Sequence, residues 1–267
     1  MTIDSQFIQM LLVQLFTPVI FTVFSFVLIG YLLSRVLKRN DVADVVWGLG
    51  FVMVAIVNAT QVHLFEKPRA LAIFVAVLAW GLRLALYIGI RNFKKNEDAR
   101  YANWRKEWGT TEPLRAFLQV FLLQGVILGV ISLPITWGIR VPGPSFGWLD
   151  WAGLFLFLTG FLFEAIADTQ MYLFKKDKKN KGKVMRKGLW ALSRHPNYFG
   201  EILVWWGIFA ICVKVPYGFI TIVSPALITF LLVRVSGVTM LEKLMENKNE
   251  EYKAYQKEVP ALLPRFF

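Results

Sequence analysis

The sequence predicts an all-α polytopic membrane protein with about seven transmembrane helices. Three observations support this fold class. The 267 residues are 56% hydrophobic with a mean hydropathy of +0.51, the apolar residues fall into seven long stretches, and the basic residues favour alternate connecting segments. Soluble domains carry a more even balance of apolar and charged residues. No linker or repeat divides the chain, so one integral membrane domain is expected over residues 1–267.

The seven stretches are each taken as one span, because a hydrocarbon core about 30 Å thick needs roughly 20 mostly apolar residues per helix. They are residues 7–37, 42–62, 70–90, 114–139, 149–174, 198–213 and 217–245. The sixth is short, and its boundary with the seventh near residues 215–218 is the least defined. The first lacks a basic leading segment and a small-residue cleavage site, so a retained helix is expected there rather than a signal peptide.

The basic residues predict the orientation, since Lys and Arg in short loops accumulate on the cytoplasmic side. The segments after the first, third, fifth and seventh stretches hold 24 of the 30 Lys and Arg residues, which predicts an outside N-terminus and a cytoplasmic C-terminus. Topology and anionic lipid account for most of the formal charge of +12, so no nucleic-acid partner is expected. The membrane would be the inner (plasma) membrane in a bacterium or the endoplasmic reticulum membrane in a eukaryote.

The sequence predicts neither a disulfide framework nor a metal site. Cys212 is the single cysteine and lies in an apolar run, while His63 and His195 lie on opposite predicted sides of the membrane. Two charged segments, 91–115 and 175–197, are the long cytoplasmic connections. A soluble ligand is therefore expected to bind from the cytoplasm.

Several ionisable side chains lie inside predicted spans, where each costs several kcal/mol unless it faces protein or a water-filled cavity. Glu164 and Asp168 are four residues apart, so both carboxylates share one helix face, with Lys175 further along it. The other polar groups are Arg83, Tyr87 and Arg91 on the third span, Asn197 and Glu201 on the sixth, and Arg234 on the seventh. Structural ion pairs would explain them. A cluster in the cytoplasmic halves of the predicted helices instead favours a polar funnel for an anionic ligand and a hydrophobic co-substrate; its members are Arg91, Asp168, Asn197, Glu201 and Arg234.

The stretch "SRHPNYFGE" from Ser193 to Glu201 begins the sixth span. Pro196 suits a first helical turn and biases His195 towards an extended conformation. Free N–H groups at the helix start, with Arg194, would attract phosphate, and Asn197 can pair with an amide or a ribose hydroxyl. A capped helix start with an arginine that reaches the interface is the alternative.

Four motifs in this order resemble the bacterial DUF1295 branch of the steroid 5α-reductase superfamily. They are "WGLRLALYIGIRN…NEDARY", "FEAIADTQMYLFK", "GLWALSRHPNYFGEILVWWG" and "LLVRVSGVTMLEK…YKAYQKEVPALLP", and the resemblance covers about residues 42–267. It implies a seven-helix membrane reductase that binds NADPH and reduces the C=C bond of a lipophilic enone, steroid-like or isoprenoid-like. A monomer contacting only lipid and small molecules is expected.

The resemblance also implies site residues. The expected cofactor contacts are Arg83, Arg91, Arg100, Tyr101, Glu164, Asp168, Lys175, Ser193, Arg194, His195, Asn197, Tyr198, Glu201 and Arg234. The chain departs from the animal enzymes around the enone oxygen, because helix two lacks their Gln-Glu pair and Trp80 stands where they carry a Tyr. Tyr87 and Asp44 are the nearest hydroxyl and acid, and they are the expected catalytic residues.

Two rival functions remain open. Isoprenylcysteine carboxyl methyltransferases share the Arg-His-Pro-x-Tyr stretch but transfer a methyl group from S-adenosylmethionine. The Glu164/Asp168 pair and the "NEDARY" segment favour the reductase. A non-catalytic membrane scaffold would bind neither cofactor.

Overall fold

The structure is a computed structural model that describes residues 5–92, 95–235, 237–246 and 250–265. Within these ranges the chain forms helices and turns and no β-strand, which confirms the predicted all-α class. The α-helices are α1 Ser5–Leu37, α2 Val42–Ala59, α3 Pro68–Asn92, α4 Ala99–Trp108, α5 Glu112–Arg115, α6 Leu123–Ile131, α7 Leu133–Arg140, α8 Trp148–Lys176, α9 Pro196–Cys212, α10 Val223–Phe230, α11 Val238–Glu246 and α12 Glu250–Glu258. Residues Ala116–Leu122 and Leu231–Val235 are π-helical.

Six regions of the described chain are long and apolar enough to cross a membrane. They are Val13–Leu37, Val42–Ala59, Pro68–Asn92, Ala99–Ile131, Trp148–Lys176 and Gly218–Glu242, so the chain is a multi-pass membrane protein. The predicted span at 198–213 corresponds to α9, whose 17 residues rise only about 26 Å at 1.5 Å each, less than the hydrocarbon thickness of about 30 Å. The count of seven spans and the orientation stay predictions.

Two predicted spans differ in detail from the helices observed. The span at 114–139 is interrupted, because α6 ends at Ile131 and α7 begins at Leu133. Pro134 has no N–H group to continue the helical hydrogen bonds, and the Leu128 carbonyl accepts from both the backbone N–H of Ser132 at 2.9 Å and its Oγ at 2.7 Å. In the seventh span, a 3₁₀ turn over Gly218–Ile222 precedes α10.

The predicted long connection 91–115 also contains regular structure. Asp98 accepts a hydrogen bond from the Arg100 backbone N–H at 3.0 Å and so caps the start of α4. The segment therefore presents ordered side chains of α4, including Arg100 and Tyr101.

The chain forms two compact units. The expectation of one integral membrane domain over residues 1–267 stays a prediction. The first unit holds residues 1–146 and 212–221. In it, α2 and α3 form the most extensive helix contact, and a Cβ atom on Gly48 would lie 2.6 Å from the Gly81 carbonyl oxygen. Trp80 is fully buried and meets the Phe51 ring edge to face at 5.6 Å, so Trp80 is a core residue.

The second unit holds residues 147–211 and 222–267. Its helices α8 and α9 run antiparallel in close contact through two glycine pairs, Gly153 with Gly207 and Gly160 with Gly200. A Cβ atom on Gly160 would lie 2.5 Å from the Gly200 carbonyl oxygen. Small residues of this kind let two membrane helices approach backbone to backbone, and here they bring the acidic face of α8 against the start of α9.

Candidate functional site

Glu164 and Asp168 form the acidic part of the candidate site in the second unit. Both are buried, at 2% and 6% exposure, as their spacing on one face of α8 predicted. Gly200 of α9 permits this burial, because a Cβ atom there would lie 2.6 Å from the Glu164 backbone nitrogen. Two acidic side chains are thus held in the contact between α8 and α9, where only paired or ligand-bound polar groups are stable.

Asn197 faces this acidic pair from the first turn of α9. Its Nδ2 atom donates to Asp168 Oδ1 at 3.4 Å. Its Oδ1 atom is buried and has no hydrogen-bond partner among the residues that the structure describes. A buried acceptor without a partner costs free energy, so this oxygen is a position at which a bound donor would stabilise the protein.

The residues that precede α9 are held by hydrogen bonds. Ser193 is buried, accepts from the His195 backbone N–H at 3.2 Å and donates to the Leu262 carbonyl at 2.8 Å. The His195 ring stacks on Tyr198 with centroids 5.5 Å apart and planes 6° from parallel. The predicted rigid approach to the helix is therefore present, with its two rings fixed against each other.

Arg194 is engaged inside the second unit. Its Nε atom donates to Glu242 at 2.6 Å and its Nη1 atom to the Gln256 carbonyl at 2.8 Å and to the Val259 carbonyl. Arg194 therefore fastens the approach to α9 onto the C-terminal segment, a contact that its sequence position did not reveal. We expect it to position the loop and not to bind phosphate directly.

Tyr255 of α12 also contacts the residues that precede α9. Tyr255 Oη donates to the carbonyl groups of Trp190 and Ser193, and burial raises the pKa of the Tyr255 hydroxyl. Sequence reasoning missed Tyr255 and Glu242, although both lie in the fourth quoted motif. The remaining predicted contacts of this unit are the half-buried Glu201, one turn after Asn197, and the exposed Lys175 and Arg234.

In the first unit the structure joins three predicted site residues. Asp44 Oδ1 accepts from Tyr101 Oη at 2.6 Å, and Asp44 Oδ2 accepts from Arg100 Nη2 at 3.1 Å. Both oxygens of Asp44 are therefore occupied by side chains of α4. The expected catalytic acid thus serves in this structure as an acceptor that orients the Tyr101 hydroxyl.

Asp98 extends this cluster. Partial burial acts to raise the pKa of Asp98, but hydrogen bonds from the side chain and backbone N–H of Arg100, with the charges of Arg100 and Arg91, outweigh it and lower that pKa. The Arg91 guanidinium also lies 5.8 Å from the centre of the Tyr87 ring. Tyr87 and Arg83 are half-buried on α3.

A further ion-pair network in the first unit was not predicted. Glu112 accepts from Arg35 at 2.6 Å and 3.0 Å and from Asn40 at 2.8 Å, and it pairs with Arg105 at 3.2 Å. Arg105 also pairs with Glu97 at 3.0 Å. The network ties the end of α1 to α4 and α5, and it is structural because its members satisfy one another.

An apolar cavity lies in the first unit between α1, α2 and the helical segment 116–131. Its lining residues are Val23, Phe26, Val27, Val46, Trp47, Gly50, Phe121, Gln124, Gly125 and Leu128. Tyr101 packs with Val27 and Phe121, so the hydrogen bond from Tyr101 to Asp44 adjoins the cavity wall. Among the described residues, no group of three or more His, Cys, Asp and Glu side chains could hold a metal ion.

Known proteins resemble this chain in part. A segment of 62 residues is 40% identical to the steroid 5-alpha-reductase DET2 of Gossypium hirsutum, covering 23% of this chain and 24% of that protein. An uncharacterized protein of Schizosaccharomyces pombe is 26% identical over 200 residues, 63% of this chain and 55% of that protein. The chain thus spans about a quarter of the length of the first relative and just over half of the length of the second. No solved structure matches it significantly.

The first of these relatives is a steroid reductase by name. The family comparison covers far more of the chain. The family described as "Protein of unknown function (DUF1295)" matches residues 30–259, which include most of each unit and every predicted site residue. The chain therefore belongs to the DUF1295 family.

Proposed function

We propose that this protein is an NADPH-dependent membrane reductase that transfers hydride to the C=C bond of a lipophilic enone. The observation that carries the proposal is the cluster of the buried Glu164 and Asp168 with the half-buried Asn197, whose buried Oδ1 atom has no partner among the described residues. The resemblance to steroid 5α-reductases supplies the reaction class.

The donor and acceptor groups of the cluster suit the polar parts of NADPH. The carboxamide and ribose groups of that cofactor carry N–H and O–H donors, and Asn197 Oδ1 is a free acceptor inside the second unit. Glu164 and Asp168 add carboxylate acceptors, and hydrogen bonds to charged groups are roughly twice as strong as neutral ones. We assign the nicotinamide or ribose portion to these three residues.

The phosphate groups require cations that can reach solvent. Arg194 is committed to Glu242 and backbone carbonyls, whereas Lys175 and Arg234 are exposed in the same unit. Lys175 also begins a strongly basic segment that continues to residue 187. These exposed cations are the better candidates for the 2′-phosphate and the pyrophosphate.

The lipophilic substrate is assigned to the first unit. Its cavity is lined almost wholly by apolar side chains, with Gln124 as a polar lining residue. The adjoining Tyr101 hydroxyl is oriented by Asp44. The cavity holds about 20 Å³ in this structure, against roughly 300–1,000 Å³ for a typical ligand site, so binding of an enone requires the lining helices to move apart.

The chemistry divides between cofactor and chain. When bound, NADPH supplies hydride to the β-carbon and becomes NADP⁺, while a proton taken up at the α-carbon completes the reduction. The protein must hydrogen-bond the enone oxygen as negative charge develops on it. We propose the Tyr87 hydroxyl for this role, with Asp44 holding Tyr101 in place beside the apolar cavity.

Transfer of deuterium tests the proposal. Purified protein is incubated with NADPH deuterated at either face of C4 and with a steroid-like or an isoprenoid-like enone, and the product is analysed by mass spectrometry. One of the two labelled cofactors should deliver its deuterium to the reduced product. Failure of both to bind, together with methyl transfer from S-adenosylmethionine, would overturn it.

A further inference from the structure

Glu242 occupies a central position in the second unit that no expectation assigned to it. It lies on α11, and its Oε1 atom is 2.6 Å from Arg194 Nε and 3.3 Å from His195 Nε2. The side chains of Arg194 and His195 are 10% and 6% exposed. One carboxylate therefore joins two consecutive residues of the approach to α9.

Arg194, the ion-pair partner of Glu242, is held by further hydrogen bonds. Arg194 is held from the other side by the Gln256 carbonyl at 2.8 Å, and its backbone N–H donates to the Pro260 carbonyl at 2.9 Å. Removing the carboxylate would leave the buried Arg194 charge without its ion-pair partner, which is costly because a buried charge depends on compensation.

The contact also determines how the His195 ring is presented. A carboxylate oxygen accepts but does not donate when ionised, so a hydrogen bond to Glu242 requires the proton to reside on Nε2. The same contact fixes the ring plane, which lies parallel to Tyr198 in the first turn of α9. Tyr198 and Asn197 are consecutive residues in the first turn of α9, so the positions of both side chains depend on how the start of this helix is held.

We propose that Glu242 is a positioning residue for the cofactor site: by binding Arg194 and His195 together, it sets the His195 tautomer and holds the start of α9 in its binding geometry. This rests on the proposed function, because it assigns Glu242 a role at the NADPH site. Glu242 acts through His195 and Arg194 and does not itself contact the cofactor.

The experiment compares Glu242→Gln, Glu242→Asp and the control Glu250→Gln in the full chain in detergent. Glu250 is an exposed carboxylate of the same unit that pairs with Lys253 at 2.6 Å, so its variant loses the same charge without touching the loop. NADPH affinity is measured by titration. The His195 tautomer is read from ¹⁵N-histidine NMR, which is simple because the chain has two histidines, and His63→Gln assigns the signals.

Glu242→Gln is expected to weaken NADPH binding about tenfold or more and to shift the His195 ¹⁵N signals, while turnover at saturating NADPH changes less. Glu242→Asp should recover part of the affinity, and Glu250→Gln should match the wild type. Unchanged affinity and unchanged His195 signals in Glu242→Gln would overturn the role of Glu242 alone. A wild type that binds no NADPH would overturn the proposed function, and the cofactor role of Glu242 with it.

Discussion

Asn197 on α9 donates through Nδ2 to Asp168 Oδ1 on α8 at 3.4 Å, while its own buried Oδ1 has no hydrogen-bond partner among the described residues. The two residues are 29 positions apart in sequence and meet because glycines at residues 160 and 200 let the helices touch. A polar amide oriented by one buried carboxylate, with its acceptor free, is organised to bind a donor rather than to complete a core.

Replacing Asn197 by Ala should weaken NADPH binding by about tenfold or more. The variant loses the hydrogen bond that Asn197 Nδ2 donates to Asp168 and the Oδ1 acceptor that we assign to the cofactor. The dissociation constant is measured by titration of the purified protein. Asn58→Ala is the matched control, since Asn58 also has a buried Oδ1 atom that lacks a partner among the described residues, but it lies in the first unit. It should cost stability and leave affinity unchanged. Equal affinities in wild type and Asn197→Ala would remove Asn197 from the site.

Replacing Gly200 by Ala should destabilise the second unit. The added methyl group would lie 2.6 Å from the Glu164 nitrogen and from the Gly160 carbonyl oxygen, and both are backbone atoms that cannot move aside cheaply. Overpacking of this kind typically costs about 1–3 kcal/mol, so the thermal unfolding midpoint should fall by several degrees. Gly129→Ala serves as control because nothing lies within 4 Å of its added methyl group. Equal midpoints for the two variants would contradict the close helix contact.

The stability of the first unit should depend on pH through Asp98. Its pKa is lower in the folded protein than its ordinary value of about 3.9, so its contribution is complete above that value and is lost as the pH falls through the lowered pKa. Asp98→Asn keeps an oxygen that can cap α4 but removes the charge. The midpoint difference between wild type and Asp98→Asn should therefore shrink from pH 6 to pH 3. A difference independent of pH would show that the Arg100 contact gives Asp98 no electrostatic stabilisation.

Replacing Tyr87 by Phe should lower turnover at saturating NADPH about a hundredfold, as loss of a positioned proton donor typically does. The Michaelis constant for NADPH should change little. Tyr217→Phe is the control, because Tyr217 is 57% exposed in a turn between α9 and α10. Full turnover by Tyr87→Phe would exclude its hydroxyl from the reaction and direct attention to Tyr101.

The sequence was sufficient for the helical fold and for part of the site. Spacing alone placed Glu164 and Asp168 on one buried face, because the period of a helix is fixed. The stiff approach to α9 followed in the same way from Pro196. Both features depend on neighbours in sequence, whose geometry the backbone determines.

Contacts between distant segments were not predictable in this way. Glu242 lies 48 positions from Arg194 and Glu112 lies 77 from Arg35, and no local pattern tells which carboxylate a given arginine meets. The interruption at Ser132 was missed because a single proline inside an apolar run does not show whether a helix bends or ends. Asp44 was expected to act as a catalytic acid. Its hydrogen bonds to Arg100 and Tyr101 depend on α4, which lies in the segment 91–115 that the sequence presents as a charged loop.

The most direct measurement is the thermal unfolding midpoint of the purified protein with NADPH, with S-adenosylmethionine and with neither. A ligand present at about 100 times its dissociation constant stabilises the folded state by about 2.7 kcal/mol. We predict a rise of several degrees with NADPH, no rise with S-adenosylmethionine, and a smaller rise with NADPH in Asn197→Ala. Stabilisation by S-adenosylmethionine and not by NADPH would contradict the reductase assignment.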